Sequence, residues 1–150
     1  QWMNQSEEWL TYTFDPVTDD SAQVNIRWEK ISVPFTVKVP DVAATTMAHL
    51  KAAVGNAKPE DWRTPLQAGN YLINNQNPAD DAQGMAWIDQ SIKVKETFQN
   101  LSAKANALYK AGKKQEAVAL GEQAVQRGKT DKVDTSNFEK RLADMKAGKI

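Results

Sequence analysis

At Pro40 the spacing of apolar residues changes from every second position to every third or fourth, and that switch dictates a chain in two parts. Upstream of it, residues 22–29 set Ala22, Val24, Ile26 and Trp28 against Gln23, Asn25, Arg27 and Glu29. Residues 33–39 set Val33, Phe35, Val37 and Val39 against Pro34, Thr36 and Lys38, and residues 8–14 set Leu10, Tyr12 and Phe14 against Trp9, Thr11 and Thr13. Strict alternation places one set on each face of a strand. The stretch 15–20, with Asp15, Pro16, Asp19 and Asp20, is rich in turn formers, and residues 30–32 are a short enough link to reverse the chain. The expectation for residues 1–40 is a short three-stranded antiparallel β meander with one polar face. Pro34 has no N–H for a ladder, which puts the third strand at an edge. The first strand forms the other edge and carries aromatic residues on both sides. Natural sheets cover such an edge, so residues 1–40 are expected to be the end of a larger upstream β unit.

Residues 41–150 read as a helical domain. Asp41 can cap a helix carrying Met47, Leu50 and Val54 and ending near Gly55. A second helix carries Trp62, Leu66, Leu72 and Ile73, with Thr64 as its candidate cap and Pro65 in its first turn. After a polar loop at 74–81, Asp80 or Asp81 begins a third helix with Met85, Trp87, Ile88 and Ile92. A fourth, with Phe98, Leu101, Ala105 and Leu108, stops at Gly112. A fifth, with Ala117, Leu120, Ala124 and Val125, stops at Gly128. Ser136 and Glu139 have the spacing of a capping box for a last helix carrying Phe138, Leu142 and Met145. Helices of this length on short connections pack as antiparallel neighbours, so the fold class is α+β, a β meander followed by an antiparallel α-helical hairpin array. Trp28 on the strand face and Trp62 and Trp87 on helix stripes are expected in cores. Trp2 and Trp9 are expected beneath the upstream segment.

Several chemistries find no footing. The chain has no cysteine and one histidine, His49, which has no histidine or glutamate at the spacing of a zinc-binding helix. Lysine plus arginine and aspartate plus glutamate number 19 each, so no net field recruits nucleic acid. No apolar run approaches the ~18 residues that span a bilayer. The pairs Asp19-Asp20 and Asp80-Asp81 fall at a turn and at a helix start, where carboxylates serve as caps. Asn75, Asn77, Asp80 and Asp81 lack the spacing of a calcium-binding EF-hand loop, and the scattered glycines form no phosphate-binding loop. No catalytic residue, metal or cofactor is expected.

The helical half repeats itself. Trp87-Ile88-Asp89-Gln90-Ser91-Ile92 echoes Leu120-Gly121-Glu122-Gln123-Ala124-Val125 at an offset of 33 residues. Leu101, Ala105, Leu108, Gly112, Ala117, Gly121 and Ala124 fall at the spacing of a tetratricopeptide repeat, whose small residues let two helices approach closely. A first copy, through Ala68 and Tyr71 to Gly84, carries a longer loop at 74–81. The segments Glu8-Trp9-Leu10-Thr11-Tyr12-Thr13-Phe14, Arg27-Trp28-Glu29-Lys30 leading into Val33-Pro34-Phe35, and Ala68-Gly69-Asn70-Tyr71-Leu72, with the repeat after them, resemble the C-terminal part of a bacterial family known as domain of unknown function 2911. That resemblance implies an export leader, a periplasmic or extracellular location and an upstream β-rich segment, and assigns no catalytic residue.

The likeness to tetratricopeptide arrays implies a binding surface. In such arrays the first helix of each hairpin lines a concave groove that holds extended peptides. The positions that fall there are Gln99, Ser102, Ala103, Asn106, Tyr109 and Lys110. Asn106 matches an asparagine that often clamps a peptide backbone, whereas Ser102 stands where binders of terminal carboxylates carry lysine. The resulting expectation is a non-enzymatic protein whose helical hairpins dock a protein or peptide, or its own upstream β segment. The alternative is an enzyme or ligand-binding protein whose working residues lie mostly in that upstream segment. A contiguous polar groove bearing Asn106, Tyr109 and Lys110 favours the first; a deep pocket at the first strand walled by Trp9 and Tyr12 favours the second.

Overall fold

A computed structural model describes residues 1–75 and 77–149. It has an antiparallel pair of strands, β1 (Trp2–Val17) and β2 (Ser21–Lys38), followed by six helices. These are α1 (Val42–Gly55), α2 (Arg63–Asn74), α3 (Pro78–Val94), α4 (Phe98–Lys110), α5 (Lys114–Thr130) and α6 (Ser136–Ala147). The chain is α+β, with the strand-to-helix switch at Pro40 as expected. It divides into two compact units, Gln1–Leu50 and Lys51–Ile150, so the division falls inside α1 and not at Pro40. Val54, near the C-terminal end of α1, is the buried residue of that helix.

The three expected strands are two. β1 is longer than residues 8–14, and the second and third strands are one continuous element, β2. Yet β2 is not straight. Eighteen extended residues at about 3.3 Å each would span about 60 Å, but the residues flanking β2 are bonded to each other, Val39 N–H donating to the Asp20 carbonyl at 2.7 Å. The strand therefore doubles back, and Glu29 near its midpoint sits at φ 51°, in left-handed space. This reversal, slightly ahead of residues 30–32, gives the path of a meander without breaking the strand. Register shifts on either side of the Glu7–Glu29 pair show β1 spending more residues than β2 over the same stretch.

The β unit leaves most of its large apolar residues in solvent. Val24, Asn25 and Ser32 are buried, but Leu10, Tyr12, Phe14, Val33 and Phe35 are all about half exposed. Trp2 and Trp9 are more than 80% exposed, as befits side chains with no core beneath them, and Trp28, expected in a core, is 54% exposed. Alternation determines which face a residue occupies; whether that face is covered depends on other layers.

The helical unit packs as two hairpins, α2 on α3 and α4 on α5, joined by smaller α3–α4 and α5–α6 contacts. Glycine lets the first pair close: a Cβ on Gly69 would lie 2.6 Å from the Gly84 carbonyl oxygen, and one on Gly84 3.0 Å from that of Gly69. One core joins α4, α5 and α6 through Leu101, Ala105, Ala124, Val125, Phe138 and Leu142. Phe98 meets Phe138 edge-on at 5.7 Å. A second core joins α2, α3 and α4 through Leu66, Ile73, Ile88 and Ala107. Trp87 is buried, whereas Trp62 is only partly so. Because Ala107 belongs to the second core and Ala105 to the first, α4 is held by both hairpins.

Several ends differ from expectation. Asp41 does cap α1, its Oδ1 accepting from Ala44 N–H at 3.0 Å. At α2 the cap is Asp61, which accepts from the backbone N–H groups of Arg63 and Thr64 and from the Thr64 hydroxyl. Thr64 is thus a donor, not the cap. α3 begins at Pro78, with Asn77 as its cap and Asp80 and Asp81 in its first turn. Gly128 does not stop α5, which continues to Thr130; a Cβ there would lie 2.3 Å from Thr135 Cγ2, so its role is close approach. Thr135, not Ser136, precedes α6, and its hydroxyl bonds the Glu139 carboxylate while Asp134 accepts from Ser136 N–H.

A buried polar network fixes α4 against the first hairpin. Thr97 and Asn100 form a reciprocal capping box, Thr97 N–H donating to Asn100 Oδ1 at 2.8 Å and Asn100 N–H to Thr97 Oγ1 at 3.3 Å. The Asn100 amide donates onward to Ser91 Oγ and to the Lys95 carbonyl, and Ser91 donates to the Trp62 carbonyl. Asn100 and Ser91 have no exposed surface. Every polar atom of the Asn100 side chain is engaged, the condition under which a buried network specifies one arrangement.

Candidate functional site

The residues singled out on α4 converge on one cleft. Gln99, Ser102, Ala103, Asn106, Tyr109 and Lys110 all line a hollow of about 560 Å³. Their spacing of three and four residues is the reason: it puts them on one helical face, opposite the face that carries Leu101, Ala105 and Leu108 into the cores. The second wall is the last two turns of α2, with Asn70, Ile73 and Asn74, and Arg141 of α6 closes the third side. The two helix hairpins and the terminal helix therefore each contribute. Arg141 was not anticipated, because its own sequence neighbourhood reads as the solvent face of a terminal helix.

Two groups in the cleft are set by their surroundings. Lys110 Nζ donates to the carbonyl of Ile73, one of the last-turn carbonyls of α2 that lacks a partner within its own helix. That contact anchors the ammonium at the cleft wall and leaves it further N–H donors. Asn106 is half-buried, and its Oδ1 is buried without a hydrogen-bond partner among the described residues. An acceptor removed from water and left unmet costs roughly 1–3 kcal/mol. Ser102 Oγ is turned back onto the Gln99 carbonyl at 3.0 Å, and Lys114 lies 5.5 Å from the centre of the Tyr109 ring.

A larger hollow, about 960 Å³, lies along α5 and α6 and includes Glu96, Glu122, Arg127, Glu139 and Lys146. Both of its cations are already paired, Lys146 with Glu122 at 2.8 Å and Arg127 with Asp131 at 2.9 Å, and its Glu139 takes Lys129 at 3.1 Å. The smaller cleft is the candidate site because its two cations, Lys110 and Arg141, face no carboxylate among the described residues and the Asn106 Oδ1 is unmet there. A third hollow sits at the start of β1, lined by Trp2, Ser6, Glu8, Trp28 and Glu29 among others, and neither Trp9 nor Tyr12 lines it.

No cluster of three or more metal-ligating His, Asp or Glu side chains occurs among the described residues, and His49 is exposed on α1. The carboxylates held below their usual range are Asp20, Asp61, Asp134 and Glu139, each chiefly by a neighbouring hydroxyl: Thr18, Thr64, Ser136 and Thr135 respectively. All four serve turns or helix starts and lie outside the cleft. Among the described residues no helix is long and apolar enough to cross a membrane. Comparison with protein-family models, curated proteins and solved structures finds no match to this chain.

Proposed function

We propose that this protein is a non-enzymatic interaction module whose cleft between α2, α4 and α6 takes an extended peptide segment of a partner protein. The observation that carries this reading is Asn106. Its carboxamide lies half-buried on the cleft face of α4 with an acceptor that nothing among the described residues satisfies, and an extended peptide presents backbone N–H groups with no partner of their own. The cleft also carries polar side chains along α4, Gln99, Ser102, Asn106, Tyr109 and Lys110, interleaved with Ala103 and Ala107. Selection from a displayed library of random peptides tests the proposal. Clones enriched on the wild type are expected to lose binding to an Asn106→Ala, Lys110→Ala double variant whose helical circular dichroism is unchanged. Failure to enrich any clone, or equal binding by the variant, overturns it.

A second contact is supported by the β unit, where Leu10, Tyr12 and Phe14 stand about half exposed along one strand. A two-stranded ribbon with this much uncovered apolar surface is marginal in water. A further β segment of the same protein is the proposed cover, with export to the periplasm or cell exterior as the resemblance to domain of unknown function 2911 implies. Fractionation of cells expressing the intact gene tests the location: recovery in the cytoplasm overturns it.

A further inference from the structure

The chemistry of the cleft wall narrows the class of peptide it takes. Eleven residues line it, and none is an aspartate or glutamate, although acids make up 19 of the 150 residues. Two are cations, Lys110 and Arg141. They come from different helices, and neither forms an ion pair among the described residues. This contrasts with the α5–α6 hollow, where every cation named above faces a carboxylate. Lys110 is partly committed to the Ile73 carbonyl, where it offsets the negative end of the α2 dipole, about half an elementary charge. Arg141 is exposed and has no hydrogen bond or ion pair among the described residues, so its guanidinium fork is free to take a ligand. We infer that the cleft selects peptides carrying a carboxylate, which Arg141 receives in a bidentate pair while Asn106 and Lys110 hold the adjoining backbone.

This rests on the peptide-cleft reading above but can fail separately from it. An exposed or rim ion pair contributes up to about 1 kcal/mol, so one carboxylate should be worth about two- to fivefold in affinity, falling towards none in 1 M salt as the pair is screened.

The experiment repeats the library selection on the wild type and on Arg141→Glu, with peptides displayed in two ways, one with internal sequence only and one with free C-termini. Arg141 lies on the surface of α6 with no polar partner among the described residues, so the variant is expected to fold. The wild type should enrich Asp and Glu, and Arg141→Glu should lose that bias or replace it with Lys and Arg. Enrichment in the internal library assigns the carboxylate to a side chain; enrichment only with free ends assigns it to the C-terminus. Internal-library clones that bind the wild type without acidic bias, or an acidic bias or free-end preference that survives in Arg141→Glu, overturn this inference and leave the cleft reading standing. A library that yields no clones on the wild type overturns both.

Discussion

Replacing Asn100 with alanine should be among the most damaging single changes in the helical unit, although Asn100 touches no ligand. The side chain has no exposed surface and makes three hydrogen bonds: from Thr97 N–H at 2.8 Å, to the Lys95 carbonyl at 2.8 Å and to Ser91 Oγ at 3.0 Å. Alanine leaves each partner differently placed. Thr97 is itself buried, so its N–H is orphaned, at roughly 1–3 kcal/mol. Lys95 is exposed and its carbonyl can recover water. Ser91 keeps its donor bond to Trp62 and loses only an accepted one. Adding a modest term for the vacated space, the expected loss is about 2–4 kcal/mol, a large fraction of the 5–15 kcal/mol typical of a domain. Urea denaturation followed by helical circular dichroism at 222 nm measures it. A double-mutant cycle with Ser91→Ala should show coupling near 1 kcal/mol, because the two side chains share a bond. A loss below about 0.5 kcal/mol for Asn100→Ala would show that the network does not fix α4.

Further outcomes follow from packing and charge. Gly69→Ala places a Cβ 2.6 Å from the Gly84 carbonyl oxygen and should cost about 1–3 kcal/mol, whereas Gly55→Ala meets nothing within 4 Å and should be neutral or stabilising in the same urea assay. Asp61, Asp134 and Glu139 all titrate below their ordinary values in the folded state, held there first by the hydroxyls of Thr64, Ser136 and Thr135. A depressed carboxylate contributes stability above its unfolded pKa and loses it as pH falls through the folded value. The urea midpoint should therefore hold from pH 7 to about 5 and decline below about pH 4, with a smaller decline in Asp61→Asn; an unchanged decline would remove Asp61 as a contributor. Asn106→Leu removes an unmet buried acceptor, so it should leave stability unchanged or raise it by up to about 1 kcal/mol while weakening every selected peptide. Loss of stability together with intact binding would reverse the role assigned to Asn106.

Much of this molecule can be read from local pattern, and the failures share a cause. Apolar spacing located all six helices, whereas Gln99, Ser102, Asn106 and Lys110 are marked out by the likeness to tetratricopeptide arrays. The capping box at Thr97 and Asn100 escaped notice because its N3 residue is asparagine rather than glutamate or glutamine. Gly128 reads as a helix stop until Thr135 and Phe98 are seen against its Cα. Arg141 belongs to the cleft only through the return of α6, which no local spacing encodes. In the β unit, alternation identified the strands and the reversal near residue 30, but one residue in left-handed space is enough to turn β2 without a loop. The exposure of Trp28 depends on which layer covers its face, and alternation carries no information on that.

The most direct test of the cleft is a titration of ¹⁵N-labelled protein with the best selected peptide, read by amide shifts. Movement confined to Gln99, Ser102, Asn106, Tyr109, Lys110 and Arg141, with the end of α2, is the predicted result. Movement centred on the α5–α6 hollow or on β1 and β2, with α4 silent, would contradict it.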